Sequence, residues 1–167
     1  MNKVYLLIGG NLEARFLNLK KARILIGQKI GEVLQVSSIY ETSAWGVEDQ
    51  PDFLNQVVMV LTTLEPLDLL ATIHLIEEEL ERKRIQKWGA RTMDIDILFY
   101  ENQIIETPNL TIPHARLHLR RFTLVPLCEL FPDFVHPVLQ KNLLNLLLDC
   151  EDVLAVKRIQ PNKKGKA

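Results

Sequence analysis

Asp94-Ile95-Asp96-Ile97-Leu98-Phe99-Tyr100 places two acids at alternate positions of an otherwise apolar run. A β-strand sends alternate side chains to the same side. The pattern therefore predicts Asp94, Asp96 and Leu98 on one face and Ile95, Ile97 and Phe99 on the other. The two acids would stand about 7 Å apart, twice the rise per residue. Asp is a poor strand former, and two anions side by side repel. A divalent cation between them removes that conflict. Just upstream runs Arg82-Lys83-Arg84-Ile85-Gln86-Lys87-Trp88-Gly89-Ala90-Arg91-Thr92-Met93. Arginines beside cation-binding acids suit a polyphosphate substrate. The stretch by itself points to phosphoryl-type transfer.

Outward from that strand, the chain reads as alternating strands and helices. Val4 to Ile8 is an apolar run ending at Gly9-Gly10-Asn11, a buried strand entering a turn. Leu19, Ala22, Ile26 and Ile30 recur at helical spacing, and Gly31 ends that helix. Val33 to Tyr40 and Phe53 to Thr63 read as strands, with a loop from Thr42 to Asp52 between them. Glu65-Pro66 opens a second helix, whose buried stripe is Leu69, Ile73, Ile76 and Leu80. Lys83 to Arg91 lacks an apolar stripe and is a second loop. Both loops lead into strands and are candidate lids. After Tyr100, the residues Glu101-Asn102-Gln103 predict a short hairpin into Ile104-Ile105. Helices follow at Phe122 to Leu130 and Leu139 to Leu148. The order βαββαβ is that of a ferredoxin-like α+β sandwich with an antiparallel sheet, plus C-terminal helices. One sheet face would carry the first helices, leaving the other for loops, ligand or the C-terminal helices.

The chain of 167 residues is enough for one well-cored domain, expected over 1–160, with a disordered basic tail over 161–167. A formal net charge of -1 argues against a general nucleic-acid binder, which carries a basic excess. No apolar run approaches the roughly 20 residues that span a bilayer, and the first strand lacks a signal-peptide cleavage site. A cytoplasmic location is expected. Cys128 and Cys150 stand in apolar surroundings and read as packing residues rather than a disulfide.

Four separated motifs together resemble the 6-hydroxymethyl-7,8-dihydropterin pyrophosphokinase family of folate biosynthesis. Ile8-Gly9-Gly10-Asn11-Leu12 is similar to that family's Gly-Ser-Asn-Leu turn. Tyr40-Glu41-Thr42, then Gln50-Pro51-Asp52-Phe53-Leu54-Asn55, is similar to its pterin-side segment. The run from Arg82 through Lys87-Trp88-Gly89-Ala90-Arg91-Thr92 to Asp94 and Asp96 resembles its Arg-Trp-Gly-Pro-Arg-Thr-x-Asp-x-Asp signature. Pro113-His114, Arg120 and Phe122 complete the set. This chain departs from the pattern at Gly10 (usually Ser), His74 (often Gln), Lys87 (usually Arg), Ala90 (usually Pro) and Arg121 (usually small).

The resemblance implies a ferredoxin-like core that transfers the β,γ-diphosphate of ATP to a pterin hydroxymethyl group, with two Mg²⁺ ions and release of AMP. It implies that Asp94 and Asp96 hold the metal ions. Arg82 and Arg91 would be catalytic, reaching the phosphates as the second loop closes. Phe53 and Phe122 would sandwich the pterin ring, although either alone reads as core. Asn55 and Thr42, with the backbone near Ala44 and Trp45, would meet the edge of the ring, and Trp88 would pack over the ligands. His74, Glu77, Arg84, Ile97, Thr111, His114 and Arg120 would contact ATP with Arg82, Trp88 and Arg91. Glu77 reads equally as a solvated helix acid. Partners would be the two small substrates, with no nucleic acid or membrane, and the chain would be a monomer. Two other functions fit the residues less well. A nucleotidyltransferase would also use paired acids and Mg²⁺ but would release diphosphate. A ferredoxin-like binding module without chemistry would need no acids on its strand.

Overall fold

The structure is a computed structural model and describes residues 1–12, 14–43, 51–80 and 93–161. In chain order its elements are β1 (Asn2–Gly10), α1 (Arg15–Lys29), β2 (Gly31–Val36), β3 (Ile39–Thr42), β4 (Phe53–Thr62) and α2 (Pro66–Glu79). They continue as β5 (Asp94–Tyr100), β6 (Ile105–Glu106), β7 (Thr111–Ile112), α3 (Arg121–Leu130), α4 (Leu143–Asp149) and β8 (Val156–Ile159). The main sheet runs β5-β1-β4-β3-β8, with β2 beside the other half of β4. Its described pairings are antiparallel. This is the ferredoxin-like α+β arrangement, with β5 and β8 at the edges.

The central strands β1 and β4 are apolar on both sides because both faces of the sheet are covered. Val4, Leu6 and Ile8 of β1 and Leu54, Val58 and Val60 of β4 pack with Leu19, Ala22 and Ile26 of α1 and Leu69, Ile73 and Ile76 of α2. On the opposite face, Tyr5, Leu7, Val57 and Met59 meet Leu124 and Leu127 of α3 and Leu143 and Leu146 of α4. The C-terminal helices thus take the second face. Burial of each such side chain stabilises the fold by about 1.5–3 kcal/mol. Cys128 and Cys150 are free thiols against this second core.

Local structure departs from the sequence pattern in four places. The predicted strand Val33 to Tyr40 is two strands, because Ser37 turns its side chain into the ladder. Its buried hydroxyl accepts the Val57 N–H at 2.9 Å and donates to the Ser38 carbonyl at 2.7 Å. The turn after Tyr100 forms, with Gln103 N–H bonded to the Tyr100 carbonyl at 3.0 Å. Yet Ile105 pairs with Ile112 rather than with β5, because Thr107 and Leu110 close a tighter turn between β6 and β7. The last helix starts only at Leu143, where the Asn142 side chain accepts the Asn145 N–H at 2.8 Å and caps it.

The fourth departure concerns β5. Leu6 is opposite Ile97 and Tyr5 is opposite Phe99, so Leu98 is an extra residue, a β-bulge. Ile95 and Ile97 face the first core as expected. Phe99 does not share their face. It joins Leu98 on the second, and Tyr100 swings to the first.

His136 closes the second core and is 4% exposed. Its Nδ1 accepts the N–H groups of Val138 at 3.2 Å and Leu139 at 3.1 Å. Burial, and then the neighbouring His118, push its pKa down to about 4 from an ordinary 6.5. Between those values the unfolded chain takes up a proton that the folded chain refuses. The contribution is therefore complete above pH 6.5 and is lost as pH falls toward 4. In urea melts across that window, His136→Gln is expected to reduce the loss of stability with acid. An unchanged slope would assign the acid sensitivity to other groups.

Candidate active site

A cavity of about 660 Å³ opens where β1, β4 and β5 end together, in the size range of small-molecule sites. Antiparallel pairing brings the C-terminal end of β1 beside the N-terminal ends of β4 and β5, with Gly9 opposite both Asn55 and Asp94. Thr42, Phe53, Asn55, His74, Glu77, Asp94, Asp96, Ile97, Thr111, His114, Arg120 and Phe122 all line this cavity. Ala44, Trp45, Arg82, Arg84, Lys87, Trp88 and Arg91 lie outside the described residues, as do most of both candidate lids and the basic tail after Pro161.

Phe53 and Phe122, both half-buried, share this lining with the polar Thr42 and Asn55. Asn55 is 5% exposed, and its Nδ2 donates to Thr42 Oγ1 at 3.3 Å. An amide held this way can still present donor and acceptor to a heterocycle. The Arg120 guanidinium lies 5.6 Å from the centre of the Phe122 ring, a cation over an aromatic face.

β5 supplies the paired acids of the lining. Asp94 and Asp96 alternate with the buried Ile95 and Ile97, so both acids lie on the face of Leu7 and Gly9, their ladder partners. Among the described residues no three His, Cys, Asp or Glu side chains gather as a closed metal cage. Two carboxylates at an open cavity instead fit Mg²⁺, which takes hard oxygen ligands and keeps room for water and substrate phosphate. Glu77 is 5% exposed, and its Oε1 accepts the Ile95 N–H at 3.4 Å. It is a buried brace of β5, not a solvated acid.

His114 is held by its backbone N–H to the Leu98 carbonyl at 3.0 Å, which carries it across the free edge of β5. Burial, followed by the charges of Arg120 and Arg116, pushes its pKa down to about 4. Its Nδ1 accepts the Arg116 N–H at 3.1 Å. The imidazole is therefore neutral at pH 7, with its proton on Nε2, where it can donate to an anion.

Sequence reasoning quoted Gly9 only within a turn motif and did not single out Asn109 or Arg116, yet all three line the cavity. Arg116 follows the Pro113-His114 motif closely enough to have been found. Gly9 has no side chain to signal a role. A Cβ there would collide with Asn55 Oδ1 and come within 2.9 Å of the Leu54 carbonyl.

A family model described as 7,8-dihydro-6-hydroxymethylpterin-pyrophosphokinase (HPPK) matches residues 5–132. The 2-amino-4-hydroxy-6-hydroxymethyldihydropteridine pyrophosphokinase of Aquifex aeolicus is 41% identical over 143 residues, covering 86% of this chain and 89% of that protein. The Bacillus subtilis protein of the same name is 44% identical over 130 residues, 77% of this chain and 78% of that protein. A crystal structure of Plasmodium falciparum HPPK-DHPS wild type with SDX-DHP superposes with a TM-score of 0.73 at 20% identity. It covers 89% of this chain but 43% of that chain, and the likeness bears on the fold alone. A family match over residues 5–132, with relatives this similar over most of their length, shows that the chain belongs to the 7,8-dihydro-6-hydroxymethylpterin-pyrophosphokinase family.

Proposed function

We propose that this chain transfers a diphosphate from ATP to the hydroxymethyl group of 6-hydroxymethyl-7,8-dihydropterin and releases AMP. The observation that supports this reading is one cavity whose lining brings together paired strand acids, two phenyl rings and a buried amide. The hydroxymethyl oxygen attacks the β-phosphorus while the bond to the bridging oxygen of AMP breaks. Such transfer depends on positioning and charge neutralisation more than on proton abstraction.

Asp94 and Asp96 would hold two Mg²⁺ ions. When bound, these supply positive charge against the phosphate oxygens. Neutral His114 can give its Nε2 proton to a phosphate oxygen as a hydrogen bond. Arg120 reaches the same space while packing on Phe122. His74, Glu77, Ile97 and Thr111 line the cavity and would meet the nucleotide, and Thr42, Phe53, Asn55 and Phe122 line it and would form the pterin slot. From the signature alone, Arg82, Arg84, Trp88 and Arg91 complete the phosphate side, and Ala44 and Trp45 the pterin side. The same reading takes residues 1–160 as one domain, acting as a monomer in the cytoplasm, where both small substrates meet it.

The direct test is AMP formation from ATP, dependent on both hydroxymethyl-dihydropterin and magnesium. Release of diphosphate instead would move the attack to the α-phosphorus and make the chain a nucleotidyltransferase. Within this reading, Arg91→Ala is expected to lower kcat by about 100-fold while changing the Kd of an ATP analogue far less, since its contacts strengthen in the transition state. A pure rise in KM would remove Arg91 from the catalytic set.

A further inference from the structure

The two sides of the pterin slot sit on different elements, and one carboxylate outside the slot joins them. α3 carries Phe122 in its first turn and Glu129 in its last. That separation is close to two helical turns, so both side chains leave the same side of the helix. β3 carries Tyr40 and Thr42 on one side of the sheet. Glu129 bridges the gap. Its Oε1 accepts the Tyr40 O–H at 2.6 Å, and its Oε2 accepts the Ser38 backbone N–H at 2.7 Å. Tyr40 is the ladder partner of Asn55, whose amide bonds Thr42.

β8 adds a third support from residues beyond the family match. Arg158 is the ladder partner of Tyr40. Burial pushes the Glu129 pKa up, but hydrogen bonds from Tyr40 and Ser38 and the charge of Arg158 outweigh it, and the net shift is down. Burial and the same carboxylate raise the Tyr40 pKa to about 12. The pair is a phenol donating to an ionised acceptor. Glu129 itself does not line the cavity.

We infer that Glu129 is a positioning residue for the flat-ring substrate: through Tyr40 it fixes the gap between the Phe122 ring and the Thr42–Asn55 edge without touching the ligand. The inference rests on the pterin reading of that slot.

The experiment measures pterin Kd with Mg²⁺ and a non-hydrolysable ATP analogue, beside the Kd of the analogue alone. Glu129→Ala and Tyr40→Phe are each expected to raise pterin Kd by about tenfold, since small misplacements of a binding group carry costs of this order. Analogue Kd should stay within about twofold, since Arg120, packed on Phe122, is the one nucleotide-side residue placed beside the shifted ring. Glu129→Gln should recover part of the loss, because its amide oxygen still accepts from Tyr40. The double variant should be no worse than Glu129→Ala, the mark of a shared interaction. Tyr40→Phe removes only an oxygen, so it decides the matter even if Glu129→Ala folds poorly. Parental pterin Kd in Tyr40→Phe, or equal weakening of both ligands, would overturn the proposal while leaving the AMP-forming activity intact. A parent chain that binds no pterin would end both readings.

Discussion

Asp96→Ala is expected to lower AMP formation by about three orders of magnitude or more, while the melting temperature stays within a few degrees of the parent. Two facts separate the effects. Asp96 is half-buried on the second sheet face opposite Leu7, at the cavity, and belongs to neither hydrophobic core. Its loss therefore leaves no core void, and relief of repulsion with Asp94 offsets the lost contacts. Turnover is different, because metal-held charge on a triphosphate contributes several kcal/mol to the transition state, and each 1.36 kcal/mol is tenfold. Asp96→Asn, of the same shape without the charge, should lose as much. Near-parental AMP release by either variant would refute the metal role of Asp96.

Gly9→Ala is the second large effect, and it should fall on the pterin. The added methyl has nowhere to go: Asn55 Oδ1 occupies its place, and the Leu54 carbonyl is 2.9 Å away. Leu54 is fully buried in a paired strand and cannot retreat, so the Asn55 side chain must turn aside. We expect pterin KM to rise by about 100-fold, since a misplaced recognition group costs on that order. Stability should drop by about 1–3 kcal/mol, the usual cost of overpacking. Affinity for an ATP analogue should hold. A parental pterin KM would show that Asn55 need not keep the geometry described.

The two long helices were legible because their apolar stripes repeat at helical spacing: Leu19, Ala22 and Ile26, then Leu69, Ile73, Ile76 and Leu80, all enter the first core. The acids of β5 were legible because charge stands out against an apolar alternation. The bulge was not, since Leu98, Phe99 and Tyr100 are all apolar and carry no information about which face each takes. Ser37 hid a strand break because a short polar side chain can replace a ladder group. β8 escaped notice for a related reason: a strand spanning Val156–Ile159 is defined by its distant partner β3. Glu77 read as an ATP contact or, equally, as a solvated helix acid, and only the arrival of Ile95 against it shows why it is buried.

The extra residue at Leu98 changes the parity of β5 halfway along. Before it, the even-numbered Asp94 and Asp96 lie on the second sheet face and the odd-numbered Ile95 and Ile97 on the first. After it, the even-numbered Tyr100 looks into the first core. Adding or losing one residue beyond Leu98 would exchange the fully buried Phe99 and Tyr100 between the two cores but leave the acids in place. The same change between Asp94 and Ile97 would rotate a carboxylate into the oily layer under α1 and α2. A length change in either half is thus costly to packing, but only one in the first half displaces the acids.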